Sequence, residues 1–200
     1  MIKVGVLALQ GDIEENVNAC KEAFARLNKD GIVKQVKYAN EIKDIDALII
    51  PGGESTVIGL LAMINNSASI IMDKVKQGMP VLGTCAGMIL LAKRAYDRVV
   101  GETRQKLLGL LDITVERNTF GRQIDSFEAE ISIDGIADRF NGVFIRAPIV
   151  KQYSSKVKPI ARLADNVVAV RQDNIIGTSF HPELADDPRL HEYLIMMVYT

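Results

Sequence analysis

Runs of β-branched and aliphatic residues alternate with amphipathic helical stretches through the first half of this chain, and that alternation restricts the fold more than any other feature. IKVGVLAL (2–9) reads as a buried parallel strand that stops at Gln10, Gly11 and Asp12. Ile13, Val17, Cys20, Phe24 and Leu27 follow at steps of four and three, which places them on one helical face. Cys20 on that stripe is a small core hydrophobe. IVKQVKYA (32–39) and DALIIPGG (46–53) supply a second and a third strand, the third closing on a Pro-Gly-Gly turn. SIIMDKVKQG (69–78) is helical and ends in a glycine suited to a C-terminal cap. PVLGTC (80–85) is a fourth strand, and AGMILLAKRA (86–95) a helix directly after it. Alternation of this kind predicts a parallel, doubly wound sheet.

The second half changes character. LLDITVE, SFEAEISI, GVFIRAP, KPIARLA, NVVAVRQ and NIIGTSF are short strand candidates between turn residues, and RQDNII reads as a hairpin turn. That pattern predicts antiparallel or mixed pairing. DDPRLHEYLIMMVY closes the chain as a helix, with Pro188 near its first turn. No linker or repeat interrupts the chain. The expected architecture is α/β: a three-layer, flavodoxin-like, mostly parallel central sheet flanked by helices, with an antiparallel extension in the second half. One domain spanning 1–200 is expected.

Composition removes several classes of function. The formal net charge is −1 and basic residues do not cluster, so a nucleic-acid partner is not expected. No apolar run reaches membrane-spanning length, and the apolar N-terminus lacks a cleavage site, so neither a membrane partner nor a signal peptide is expected. Cys20 and Cys85 form no CxxC pair, and the two histidines are not at ligand spacing, which leaves no expected metal site. Two cysteines fit a reduced, cytoplasmic setting.

The chemistry concentrates at GTCAG (83–87). A strand turning directly into a helix delivers Cys85 to the carboxyl edge of the sheet, where open α/β sheets bind ligands. G-x-C-x-G has the spacing of a nucleophile elbow with sulfur in place of oxygen, its glycines clearing space around the reacting amide. A helix N-terminus favours negative charge, so a thiolate is expected to be stabilised there. A structural cysteine in a glycine-rich turn has the same local sequence. A nucleophile needs a base, and His181 and His191 are the candidates. His191, inside the last helix beside Glu192, reads as a solvated helical histidine. His181 opens HPEL just past a strand end, where Pro182 stiffens the chain. Glu183, two residues on in an extended segment, points to the same side and can orient the imidazole. PGGEST (51–56) offers backbone N–H groups at a Gly-Gly turn. Without a following Gly-Lys-Ser/Thr, an oxyanion contact fits better than a phosphate cradle.

GTCAG, HPE and the upstream PGG together resemble the class I, triad-type glutamine amidotransferases. LALQGD, PGGEST, GTCAGMILLA, RNTFGRQIDSFE, FIRAP and SFHPEL, spread over residues 7–184, are similar more narrowly to the family of glutaminase subunits of pyridoxal 5′-phosphate synthase. Asn16 departs from a GDxxEH pattern frequent in that family, on a helix that the resemblance places toward the synthase partner. The resemblance implies Cys85 as nucleophile, His181 as base and then acid, and Glu183 as orienting carboxylate. It implies glutamine contacts from Gly53, Glu54, Ser55, Arg117, Ile145 and Arg146, with the N–H groups of Gly53 and Ala86 as oxyanion donors. L-glutamine is the implied substrate, and no cofactor or metal is implied. The implied partner is a pyridoxal 5′-phosphate synthase subunit in a large hetero-oligomeric complex. Three rival readings stand beside it. The chain could serve another amidotransferase or be a non-catalytic relative. It could also be a thiol ester hydrolase, although that triad runs nucleophile, acid, histidine, and here the order is Cys85, His181, Glu183.

Overall fold

The computed structural model describes residues 1–97, 100–117 and 126–199. The first half runs β1 (Ile2–Leu7), α1 (Ile13–Arg26), β2 (Gly31–Val36), α2 (Ala39–Lys43), β3 (Ala47–Ile50), α3 (Ser55–Ile64), α4 (Ser67–Lys76), β4 (Val81–Thr84) and α5 (Ala86–Leu91). The second half runs β5 (Ala92–Asp97), β6 (Gly101–Glu102), β7 (Leu111–Arg117), β8 (Ser126–Ile133), β9 (Ala137–Ile145), β10 (Ile149–Tyr153), β11 (Lys158–Leu163), β12 (Asn166–Gln172) and β13 (Ile175–Thr178). A single 3-10 turn (Pro182–Leu184) and α6 (Arg189–Met197) close it.

Among the described residues the main sheet has the order β2-β1-β3-β4-β13-β12-β10-β7-β5-β6, with β11 on β12. The five strands β2, β1, β3, β4 and β13 are parallel, in flavodoxin-like order with β13 as the fifth. Beyond β13 the pairing with β12, β10 and β7 is antiparallel. β8 and β9 form a separate hairpin. This is the α/β sheet with an antiparallel extension that the sequence pattern predicts.

The parallel strands are buried on both faces because each face has its own apolar layer. In β3, Leu48 and Ile50 join a core with Ile58, Ile71 and Met88, while Ala47 and Ile49 face Cys20, Phe24 and Leu194 on the other side. Side chains alternate across a strand, so four consecutive apolar residues serve two cores. On the second face Phe180, just past β13, meets Phe140 and Phe144 of β9, ring centroids 5.6 Å apart in both pairs. Those rings fix the β8–β9 hairpin against the end of β13.

Three sequence expectations need correction. The helix from Ala86 ends at Leu91, not residue 95, and β5 begins at Ala92. The last turn is consumed by tertiary pairing: Leu108 N donates to Leu90 O at 2.7 Å and Leu110 N to Leu91 O at 2.9 Å, after which β5 runs parallel to β7. The reading also passes over α2, α3, β5, β6 and β10. STVIGLLAMI in α3 mixes β-branched residues with a mid-helix glycine, a poor helix pattern by propensity. Burial of Ile58 and Ala62 against the sheet overrides that preference. His191 is wholly buried, not solvated; its Nε2 lies 3.2 Å from Asn16 Oδ1 across the α1–α6 seam. Asn16 is equally buried, so its side chain serves internal packing and not a docking surface.

No single helix among the described residues is long and apolar enough to cross a membrane; α3 and α4 pass such a test only as a pair bent by 95°.

Candidate active site

Four loops converge because their strands are neighbours. The segments after β1, β3, β4 and β13 all leave the carboxyl edge of the parallel sheet. Registers such as Ile50 with Gly83 and Thr84 with Thr178 bring Gly52, Cys85 and His181 to one crevice. Ligands bind at this edge in doubly wound sheets.

Cys85 sits between β4 and α5 with φ 48° and ψ −100°, a backbone setting that residues other than glycine rarely adopt. Its N–H donates to Thr178 O at 2.8 Å, and its thiol faces Ile145 O at 3.9 Å. The flanking glycines are required by backbone packing at this tight turn, which leaves no room for a Cβ. A Cβ on Gly87 would collide with the Ile50 carbonyl, and one on Gly83 would lie 2.7 Å from the Gly87 carbonyl carbon. The elbow is sharp because β4, α5 and β3 touch backbone to backbone.

His181 is 3% exposed. Its N–H donates to Val143 O at 2.8 Å, tying the turn to β9. Nδ1 lies 2.9 Å from Glu183 Oε1, as the sequence expects, but through a 3-10 turn and not an extended segment. Nδ1 also lies 3.1 Å from Asp12 Oδ2, which the sequence reading misses. Nε2 is buried and has no hydrogen-bond partner among the described residues. Burial pulls the imidazole pKa down, but electrostatic interaction with Asp12, Cys85 and Glu183 outweighs it, and the value is pushed up to about 12. Glu183 is raised from its ordinary range, first by burial and against the pull of His181. The other cysteine, Cys20, is wholly buried and its thiol is pushed up to about 12 by that burial. Both cysteines are free thiols.

A polar group lies beside this centre. Arg117 reaches Gln105 Oε1 at 3.0 Å, Glu54 Oε1 at 3.3 Å and Thr56 Oγ1 at 3.4 Å. Ser55 Oγ donates to Gln105 Oε1 at 3.2 Å, and Glu54 N to Gln10 Oε1 at 2.7 Å. The structure thus gathers Glu54, Ser55 and Arg117 from positions far apart in sequence, and adds Gln10 and Gln105. Gly53 and Ala86 follow β3 and β4 at the same edge. Ile145 ends β9 with its carbonyl toward the thiol. Arg146 is exposed, with φ 43°. The part of RNTFGRQIDSFE at 118–125 lies outside the described residues.

Asp12, His181 and Glu183 also bring three ligand atoms within 4.8 Å of one another, close enough for one cation. The histidine N–H shared between two carboxylates accounts for that spacing without an ion.

A family model described as the SNO glutamine amidotransferase family matches residues 6–200. The chain belongs to that family. A pyridoxal 5′-phosphate synthase subunit PdxT from Nitrosopumilus maritimus (strain SCM1) is 53% identical over 197 residues, covering 98% of this chain and 96% of the relative. One from Thermococcus kodakarensis is 50% identical, with 98% of each chain covered. A crystal structure of a glutamine amidotransferase superposes with a TM-score of 0.85 at 43% identity, over 98% of this chain and 99% of that one. Within the SNO glutamine amidotransferase fold, then, Cys85, His181 and Glu183 occupy one carboxyl-edge crevice. The sequence alone offered little signal for the added members of this amidotransferase site. Gln10 and Asp12 stand in LALQGD, a stretch the resemblance uses without assigning roles, and Gln105 lies in a segment with no motif.

Proposed function

We propose that this chain is the glutaminase subunit of a pyridoxal 5′-phosphate synthase, one amidotransferase domain over residues 1–200 that hydrolyses L-glutamine to L-glutamate and ammonia. The observation that carries the reading is the elbow thiol of Cys85 beside a buried imidazole whose Nδ1 is held by Glu183 at 2.9 Å, in a chain about half identical to PdxT subunits.

The Cys85 thiolate attacks the side-chain amide carbon of glutamine. Charge developing on the carbonyl oxygen is met by backbone N–H groups of Gly53 and Ala86. The charged His181 gives its Nε2 proton to the leaving nitrogen, and ammonia departs from a γ-glutamyl thioester. His181, now neutral, takes a proton from water, which attacks the thioester and releases glutamate. The raised pKa of His181 suits the first half-reaction, because the imidazole begins charged. Gly53, Glu54, Ser55, Arg117, Ile145 and Arg146 bind the substrate, and Arg117 supplies the positive charge that glutamine's α-carboxylate needs. Neither metal nor cofactor enters these steps.

Free ammonia protonates in water and is lost as a nucleophile. The reading therefore includes delivery to a separate synthase subunit in a large hetero-oligomeric complex, in the cytoplasm. That subunit joins the ammonia with a pentose phosphate and a triose phosphate. The test is glutamate release measured with and without a synthase subunit, for wild type and Cys85→Ala. Loss of release in the variant, with partner binding retained, is expected; turnover at the wild-type rate overturns the reading.

A further inference from the structure

Asp12 has the sequence position of a helix cap but does not cap. It precedes α1, where an aspartate ordinarily accepts from the first helical N–H groups, and its side chain makes no such bond. The carboxylate turns instead to His181, Oδ2 lying 3.1 Å from Nδ1, beside Glu183 Oε1 at 2.9 Å. We infer that Asp12 is a second orienting carboxylate, a positioning residue that shares the Nδ1 proton with Glu183 and acts on the reaction only through the imidazole. The inference rests on the amidohydrolase reading above and deepens it.

The surroundings are built for this contact. A Cβ on Gly52 would stand 2.7 Å from Asp12 Oδ2 and 2.8 Å from His181 Nδ1, so the approach needs glycine there. Asp12 is fixed from both sides: its N–H donates to Gly52 O at 3.2 Å, and its carbonyl accepts from Asn16 Nδ2 at 2.7 Å. Asn16 is tied to His191 in α6, which braces the start of α1. The two carboxylates are not equivalent. The Glu183 side chain is fully buried and its Oε2 has no partner among the described residues, whereas Asp12 keeps 36% of its side chain exposed. A buried carboxyl is a costly place for charge, and the neighbouring Asp12 pushes the Glu183 pKa further up, so the two carboxylates meet the imidazole on unequal terms. The groups that face the imidazole are Asp12 from the β1–α1 loop, Cys85 from the β4–α5 turn and Glu183 from its own turn.

The experiment is an NMR titration of the His181 ring in the full chain, at equilibrium and without substrate, for wild type, Asp12→Asn and Glu183→Gln. Asparagine keeps the shape and an acceptor oxygen, so a merely spatial role leaves the titration unchanged. The expected result is a downward move of the His181 midpoint by about one unit or more in Asp12→Asn, tenfold in proton affinity. With the synthase subunit present, kcat is expected to fall about tenfold with KM within twofold. A His181 midpoint equal to wild type in Asp12→Asn, alongside a shifted one in Glu183→Gln, overturns the inference. If Asp12→Asn does not fold, Asp12→Ser, a good helix cap, reads the same midpoint. Because the titration needs no turnover, failure of the glutaminase reading shows separately as unaltered glutamate release by Cys85→Ala.

Discussion

His191 and Asn16, 175 residues apart, meet in the closed seam between the last helix and the first, Nε2 to Oδ1 at 3.2 Å. Neither side chain touches solvent, and Nδ1 of His191 has no partner among the described residues. Burial holds the His191 pKa down, to about 4, so the native ring is neutral where an unfolded one is charged.

That seam makes the fold acid-sensitive. Between pH 6.5 and about 4 the unfolded chain binds the His191 proton and the native chain does not. Stability therefore declines as pH falls through this window, by roughly 3 kcal/mol from this residue. Urea midpoints measured from pH 7 to 4 should drop steeply for wild type. In His191→Gln, less stable at neutral pH, the slope over that interval should be shallower. Parallel slopes in the two proteins would remove His191 from the account.

His181 has the opposite sign. Its folded pKa lies above the unfolded value, so its stabilisation is present below pH 6.5 and lost as pH climbs toward about 12. His181→Asn is expected to lose most glutamate release and to flatten the alkaline decline in thermal stability, as followed by circular dichroism melts across that range.

The two thiols should separate cleanly under alkylation. Cys20 is fully buried with its thiol pushed up to about 12, whereas Cys85 lies at the elbow and is 8% exposed. Iodoacetamide on the native protein should modify Cys85 alone, with glutamate release falling in step, and reach Cys20 only after denaturation. Peptide mass spectrometry reads both sites; equal labelling rates would contradict the assignment.

Gly52→Ala tests the tightest approach in the crevice. The added methyl meets Asp12 Oδ2 at 2.7 Å and displaces the His181 ring. Turnover should fall by about two orders of magnitude, the usual cost of misplacing a catalytic group by about 1 Å. Retained secondary structure is expected, since the turn is at the crevice edge. Wild-type kinetics in this variant would mean that the ring position is not critical.

Arg117 binds through a planar fork that touches Gln105, Glu54 and Thr56. Arg117→Lys keeps the charge but not the fork. Its KM for glutamine should rise about tenfold with a smaller change in kcat. A fall in kcat at unchanged KM would assign the arginine to the chemical step instead.

Much of this protein was legible as sequence. The two-sided strands β1, β3 and β4 show as continuous apolar runs, because parallel strands bury both faces. GTCAG and HPE single out Cys85 and His181 as candidates through residue type and spacing. What stayed hidden depends on contacts between distant segments. α5 stops at Leu91 because β7 and the segment before it take the next hydrogen bonds. His191 looks like a surface residue until α6 packs on α1. Asp12 is only the end of a strand run until the sheet order sets β1 beside β3, with β3 and β4 between β1 and β13, and its carboxylate reaches His181. Local sequence specifies chemistry and periodicity, which are properties of neighbouring residues. Strand order and helix packing decide which of those chemistries meet, because distances of 3 Å between residues 12 and 181 exist only after the chain has closed its sheet.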